Sequence, residues 1–150
     1  MSEPDEQRLE TLRWIEYATE DLASARHVVE DDGVSPRVVC LLAQQAAEKI
    51  IKAALIALQV PFPFIHDLDV LKTLAPEEWS ATHGTGNLSE LTRWAIQSRY
   101  PTEFPRPSRD DARHAMAIAE AVFEAVVGDA CRIMPGMGFG DDAAAFDADG

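Results

Sequence analysis

The segment of residues 36–59 restricts the possible folds most, because it is apolar around nearly all of a helical circumference. Ser35 and Pro36 form a typical helix start, with a capping side chain before a proline at the first helical position. The apolar residues are Val38, Val39, Leu42, Ala43, Ala46, Ala47, Ile50, Ile51, Ala54 and Leu55. At about 100° per residue, five polar residues share a sector of roughly 100°. We call these five the polar stripe: Gln45, Glu48, Lys49, Lys52 and Gln59. A helix this apolar must lie at the centre of a bundle or at an interface.

Three further segments have the spacing of amphipathic helices. They cover about residues 7–31, residues 87–99, and a last segment that begins after Ser108, which has capping-box spacing to Asp111. Short helical turns are predicted before the third long helix. No segment alternates polar and apolar residues with a period of two. The predicted class is therefore all-α, an antiparallel up-and-down bundle of four to five helices with short extra helical turns.

The chain of 150 residues fits one domain. We predict that residues 1–134 form the bundle and that residues 135–150, an acidic segment rich in Gly, Ala and Asp, are disordered. Cys40 and Cys131 fall in predicted helices, which is typical of free buried thiols in a reducing compartment. The N-terminus lacks a signal-peptide pattern, and the longest uncharged stretch, residues 53–65, contains two prolines. These features predict a cytoplasmic protein with no membrane segment.

The net charge of -13 argues against nonspecific coating of nucleic acid, which needs a basic surface. Positive charge is nevertheless concentrated in two segments. Residues 36–66 hold three basic side chains and a single acid, Glu48. Residues 99–113 hold four arginines and three acids. Any site for an anion is therefore predicted to be local.

The polar stripe has two interpretations. It is either a solvated strip, with Glu48 and Lys52 paired at the favourable spacing of four residues, or one wall of a cleft. In the second interpretation Gln45, Glu48, Lys49 and Lys52 are candidate ligand-binding residues.

Two short motifs outside the stripe are further candidates. Arg99 and Tyr100 stand where the third long helix meets a proline-rich loop, so a guanidinium could bind phosphate and a phenol ring could stack on a base. The alternative is that Arg99 only caps its helix. His66 could act as an acid or a base near neutral pH, with Asp67 beside it, although Asp67 also suits a helix N-cap with His66 as its buried neighbour.

Arg109 and His114 have the spacing of a metal-independent ribonuclease motif, in which a cation binds the scissile phosphate and an imidazole moves a proton. If Ser108 caps the helix, however, the two side chains lie about 140° apart around it. We expect His114 to pair with Asp110 instead.

No metal site is predicted, because the histidines and cysteines lack close ligand pairs. The sequence also lacks a Gly-rich phosphate loop and a nucleophile elbow. We therefore predict no cofactor, and any nucleotide would be held by side chains.

The order and spacing of four motifs resemble the HEPN domain family over about residues 8–128. The motifs are Ala18, Asp21, Leu22 and Ala25; residues 44–49 (QQAAEK) with Lys52 and Ala53; residues 65–68 (IHDL); and residues 98–101 (SRYP). The resemblance implies a dimerising antiparallel bundle with a polar cleft near the dimer interface. It also implies a nucleotide or RNA phosphate ligand.

Many members of that family are encoded beside a minimal nucleotidyltransferase and act as the toxin of a toxin-antitoxin pair, and others are metal-independent ribonucleases. The ribonucleases carry an arginine, then four to six intervening residues, then a histidine. Counted from Arg99, those positions hold Phe104, Pro105 and Arg106. The resemblance therefore implies a homodimeric nucleotide- or RNA-binding domain with a nucleotidyltransferase partner. The alternatives are an endoribonuclease that uses Arg99 with His66 or His114, and a helical module that only binds protein.

Overall fold

Six helices make up the computed structural model over the residues that it describes, which are 2–97, 101 and 105–140, and no strand occurs among them. The helices are α1 (Glu3–Val28), α2 (Pro36–Ala57), α3 (Leu68–Thr73), α4 (Ser80–His83), α5 (Ser89–Gln97) and α6 (Arg109–Ile133). The all-α prediction, with long helices and short extra turns, is confirmed.

Serine side chains cap the three long helices. Ser35 accepts a hydrogen bond from the backbone N–H of Arg37, and Ser108 forms the predicted capping box with Asp111. A second capping box, between Ser2 and Asp5, starts α1 at Glu3, four residues earlier than its apolar pattern indicates. Each cap satisfies backbone donors that the first helical turn leaves without partners.

The three long helices pack side by side with α2 in the middle. The carboxamide of Gln7, at the start of α1, donates to the carbonyls of Ile56 and Ala57, so α1 and α2 run antiparallel. Ion pairs of Arg26 with Glu120 and of Glu30 with Arg113 show that α6 also runs antiparallel to α1. Buried residues occupy most of the circumference of α2, as its sequence predicts for a central helix.

The shorter helices pack against α2 and α6. Asp129 of α6 is buried and accepts hydrogen bonds from the backbone N–H and the hydroxyl of Thr82 in α4. The hydroxyl of Thr92 in α5 accepts a hydrogen bond from the backbone N–H of Leu68, at the start of α3. The α5 helix is therefore tied to the segment that carries His66.

The first six residues of the predicted tail, 135–140, pack against the bundle. Phe139 is only 2% exposed and belongs to the hydrophobic core. Gly138 has a φ of 99° and lies so close to Leu12 that a Cβ atom would be 2.3 Å from the leucine Cδ2. Residues 135–140 therefore fold back against α1, and residues 141–150 lie outside the described part of the chain.

Within the part of the chain that the structure describes, none of the helices is both long enough and apolar enough to span a membrane.

Candidate functional site

The centre of the polar stripe of α2 is buried rather than solvated. Glu48 and Lys52 are each only 5% exposed, and the predicted ion pair joins them, with Nζ 3.3 Å from Oε2. Two charged side chains are stable inside a bundle only when they are paired and hydrogen-bonded. Glu48 and Lys52 therefore form a buried polar centre of the stripe, whereas Gln45 and Lys49 are half-buried and Gln59 is exposed.

Glu48 is the centre of a hydrogen-bonded cluster. Its Oε1 atom accepts from Nε2 of Gln44 at 2.9 Å and lies 2.7 Å from Nδ1 of His66. Gln45 supports the cluster from behind, since its Nε2 donates to Oε1 of Gln44 at 3.0 Å. Burial raises the pKa of Glu48, but the hydrogen bonds from His66 and Gln44 and the charge of Lys52 outweigh burial and hold that pKa below its usual value. The carboxylate is therefore ionised at neutral pH.

His66 stands at the rim of this cluster, on the loop before α3. Its side chain is 47% exposed, so the expectation of a buried neighbour is wrong. Because an ionised Glu48 can only accept, the short contact requires a proton on Nδ1, and in the neutral ring Nε2 is then the acceptor. No contact of Nε2 is found among the described residues. The arrangement gives an imidazole of fixed orientation with one reactive nitrogen.

Asp67 does not join the cluster. Its carboxylate accepts from the backbone N–H of Val70 at 3.2 Å and caps α3, as the alternative reading of the sequence predicts. The cap holds the turn that carries His66. The structure therefore gives Asp67 a positioning role, and it shows no contact of Asp67 with the polar stripe.

Lys52 extends the cluster toward an aromatic surface. Its ammonium lies 5.9 Å from the centre of the Trp14 ring and 5.6 Å from that of the Phe62 ring. A cation between two ring faces is stabilised by their quadrupoles. Lys52 is therefore held by two rings and by the Glu48 carboxylate at once.

Lys49 lies on the same side of α2 but pairs with α1. Its ammonium is 2.6 Å from Oδ2 of Asp21 and 5.7 Å from the centre of the Tyr17 ring. Gln59, at the far end of the stripe, has a φ of 58° and donates to the side chain of Gln7. These two residues link the stripe to α1.

Two adjoining clefts open between α1, α2 and the loop that follows α2. One has a volume of about 640 Å³ and the other of about 670 Å³, and Glu10 and Trp14 line both. The first cleft is also lined by Lys52, Ile56, Gln59, Val60, Pro61, Phe62 and Phe64. The second is also lined by Glu6, Arg13, Tyr17 and Lys49. We call the pair the aromatic cleft.

Sequence reasoning missed the aromatic side of this site. Trp14 and Tyr17 lie off the apolar spacing that predicts α1, and neither is part of the fully buried set of Ile15, Ala18 and Leu22. Large aromatic rings beside the core face of a helix are the signal that could have revealed the cleft. The position of the loop that brings Phe62 to Lys52 has no comparable local signal.

The second basic segment, residues 99–113, makes structural contacts in the part that the structure describes. Arg109 donates to the backbone carbonyls of Val29, Asp31 and Val34. The expected pair of His114 with Asp110 is wrong, because Asp110 pairs with Arg113 and His114 lies 3.3 Å from Glu90. Arg109 and His114 diverge, as their angular separation predicts. Arg99 and Tyr100 lie outside the described residues.

Cys40 and Cys131 are both free thiols, but only Cys40 is buried, so the expectation of two buried thiols is wrong for Cys131. Burial raises the pKa of the Cys40 thiol to about 12, which keeps it protonated. Among the described residues, no group of three or more His, Cys, Asp or Glu side chains could hold a metal ion.

Comparison with known proteins gives one family. The family model described as HEPN domain matches residues 11–130 of the chain. The chain is also similar to the crystal structure of an archaeal HEPN homologue, with 24% sequence identity and a TM-score of 0.57. That match covers 85% of this chain and 98% of the archaeal chain, and at this identity it supports the fold alone. No curated protein matches the chain.

Proposed function

Because the chain belongs to the HEPN domain family, we propose that it binds a nucleotide or an RNA end at the Glu48 cluster and the aromatic cleft. The observation that carries the proposal is the continuity of contacts from His66 at the rim, through buried Glu48, to Lys52 in the cleft. Concave sites that combine apolar walls with a few fixed polar groups are the usual form of small-ligand sites.

We assign the phosphate of the ligand to the rim of the Glu48 cluster, beside His66. Lys49 and Lys52 are both engaged by carboxylates, so binding phosphate there would require breaking an ion pair. His66 can approach an anion through Nε2, which donates once the ring is protonated. By position in its motif, Arg99 supplies the permanent positive charge, and Tyr100 contacts the ligand beside it. Gln45 supports the site through Gln44.

Calorimetric titration with ATP and with a short RNA tests this proposal. Wild-type protein should bind, and Arg99→Ala should weaken binding by about tenfold or more, the loss expected for one charge-assisted phosphate contact of 1.5–3 kcal/mol. Arg8→Ala is the matched control, because Arg8 is exposed on α1 and outside the lining of the cleft. Equal affinity of Arg99→Ala and the wild type would count against the phosphate assignment.

We also propose that the domain is a homodimer that acts with a minimal nucleotidyltransferase in a toxin-antitoxin-like pair. Membership in the HEPN family supports this proposal. Light scattering on the purified protein tests the dimer, and co-expression with the product of the neighbouring gene tests the partner. A monomer at micromolar concentration, or a neighbour that neither co-purifies nor suppresses toxicity, would contradict the respective half.

The contact of Glu48 with His66 favours a second function, a metal-independent endoribonuclease. The Nε2 atom would take the proton of a 2′-hydroxyl, whose oxygen attacks the adjacent phosphorus and displaces the 5′-oxygen. The products would be a 2′,3′-cyclic phosphate and a 5′-hydroxyl protonated by solvent. General base catalysis of this kind contributes about 10²–10⁴-fold to a rate.

RNA cleavage in the presence of a chelator tests this second function. His66→Ala should lower the rate by at least about 100-fold, while His114→Ala, whose imidazole faces Glu90, should leave it unchanged. If both variants still cleave RNA at the wild-type rate, His66 is not the base. If the protein neither binds nor cleaves RNA but retains a protein partner, the helical interaction module is the better description.

A further inference from the structure

The aromatic cleft has a composition that suits one part of a nucleotide, its base. Glu6, Glu10, Arg13, Trp14 and Tyr17 all line the second cleft, and their spacing along α1 places them on one face of that helix. The cleft therefore combines ring faces with hydrogen-bonding groups at its edge. Walls of this kind recognise flat heterocycles by stacking and by contacts to their polar edges.

The rings are exposed more than packing alone requires. Phe64 is fully exposed, at 104%, and Tyr17 on α1 is 57% exposed. Single exposed apolar residues are common on protein surfaces, but these two line adjoining clefts that share Trp14. Exposed aromatic rings around two adjoining clefts indicate a contact with something outside the domain.

Trp14 and Phe62 are held in place before any ligand arrives. The Lys52 ammonium lies near the centres of both rings, and the Glu48 carboxylate fixes that ammonium. Because Lys52 is almost fully buried, these contacts are present in the folded domain without a ligand. A preorganised wall binds more tightly than a mobile one, since less side-chain entropy is lost on binding.

The cleft lining carries both donors and acceptors: the donors Lys49 and Lys52 are already engaged by Asp21 and Glu48, and Arg13 is exposed. Glu6 and Glu10 offer carboxylates that accept only, and Gln59 offers a carboxamide oxygen. These acceptors match an exocyclic amino group, such as that of adenine or cytosine, and they repel phosphate oxygens. A bound nucleotide would therefore place its base in the cleft and its phosphate away from Glu6 and Glu10.

We propose that the aromatic cleft is the base subsite of the nucleotide site and that it prefers bases with an exocyclic amino group. The inference rests on the proposed nucleotide-binding function and specifies which part of the ligand lies against α1. The contacts from Lys52 through Glu48 to His66 then lead from the base to the phosphate end.

Tryptophan fluorescence gives a direct readout of this subsite. Of the three tryptophans, Trp79 is 0% and Trp94 is 3% exposed, whereas Trp14 is half-buried and lines both clefts. Titration with AMP should quench the emission, and IMP, which carries an oxo group in place of the amino group, should bind at least about tenfold more weakly. Trp14→Phe should abolish the quenching while calorimetry still detects AMP.

Two variants test the contacts. Phe64→Ala should weaken AMP binding by about 5- to 150-fold, the range expected from 1–3 kcal/mol for stacking on one base. Its ring is fully exposed, so loss of the ring leaves the core intact. Glu10→Gln should reduce the preference for AMP over IMP, and Glu16→Gln, exposed on α1 outside the cleft, is the matched control.

The outcomes separate this inference from the function on which it rests. Binding of AMP with no loss in Phe64→Ala and no preference over IMP would overturn the base subsite and leave nucleotide binding intact. Binding of AMP that is lost in Phe64→Ala but unaffected by Arg99→Ala would support the base subsite and contradict the phosphate assignment. Absence of binding to AMP, ATP and short RNA would overturn both.

Discussion

The Nδ1 atom of His66 lies 2.7 Å from Oε1 of Glu48, although 18 residues separate the two in sequence. The contact joins an exposed ring to a carboxylate inside the bundle. It orients the imidazole and contributes to the low pKa of Glu48. Because the same carboxylate also holds Lys52, a change at Glu48 should affect the rim and the cleft together.

Replacement of Glu48 by Gln should lower the free energy of unfolding by about 3 kcal/mol at pH 7, because it leaves the buried ammonium of Lys52 without its counter-charge. Urea denaturation measures the change. Glu20→Gln, exposed on α1, should change the stability by less than about 0.5 kcal/mol. Equal stability of Glu48→Gln and the wild type would contradict the structural role of the pair.

The pH dependence of the free energy of unfolding should reflect the ionisation of the Glu48 carboxylate. The pKa of Glu48 is lower in the folded protein than its ordinary value of 4.5, so its stabilising contribution is complete above pH 4.5 and decreases as the pH falls below that value. The difference in unfolding free energy between wild type and Glu48→Gln should therefore shrink between pH 5 and pH 3. A difference that stays constant with pH would be inconsistent with an ionised Glu48.

Asp129→Ala should destabilise the domain by about 2–3 kcal/mol, because it removes the acceptor of the buried backbone N–H of Thr82 and of its hydroxyl. Thermal or chemical denaturation can measure the loss. Glu124→Ala is the matched change at an exposed position of the same helix and should be nearly neutral. Equal effects of the two substitutions on stability would contradict this prediction.

Two Phe→Ala substitutions should differ sharply in their effects on stability. Phe139→Ala should cost about 3 kcal/mol, because the ring is 2% exposed and its removal leaves a cavity against the core. Phe64→Ala, at a fully exposed ring, should change stability by less than about 0.5 kcal/mol. Denaturation midpoints of the two variants check the contrast, and a neutral Phe139→Ala would contradict the packing of residues 135–140.

Arg109→Lys should lower stability by about 1–2 kcal/mol although it keeps the charge. The guanidinium donates to three carbonyls at the end of α1 and in the following loop, and a single ammonium cannot reproduce that geometry. Arg8→Lys is the control at an exposed position. Denaturation curves that coincide for wild type and Arg109→Lys would show that the charge alone is sufficient.

The helices, and the starts of α2 and α6, could be predicted because their signals are local. Ser35 before Pro36, and Ser108 with Asp111, act within a few residues, and the structure shows both caps. The apolar circumference of α2 correctly indicated its central position, since only a central helix can bury so many sides. The pair of Glu48 with Lys52 also follows from spacing within one helix.

The partners that complete the site could not be predicted in the same way. The contacts of Glu48 with His66 and of Lys49 with Asp21 depend on how a loop and two helices pack, which sequence spacing does not encode. Composition was misleading for Phe139, because a Gly-rich segment can still bury one large ring against a neighbouring helix. His114 meets Glu90 across helices, although Asp110 is nearer in sequence.

The central place of α2 has a consequence for synthesis of the chain on the ribosome. Residues 36–57 emerge long before α6, whose last residue is Ile133, yet α6 covers one side of α2 in the finished bundle. Until α6 has left the exit tunnel, the side of α2 that packs on α6 carries uncovered apolar surface. The nascent chain therefore remains a substrate for chaperones until it is nearly full length, and fragments that end before α6 should aggregate.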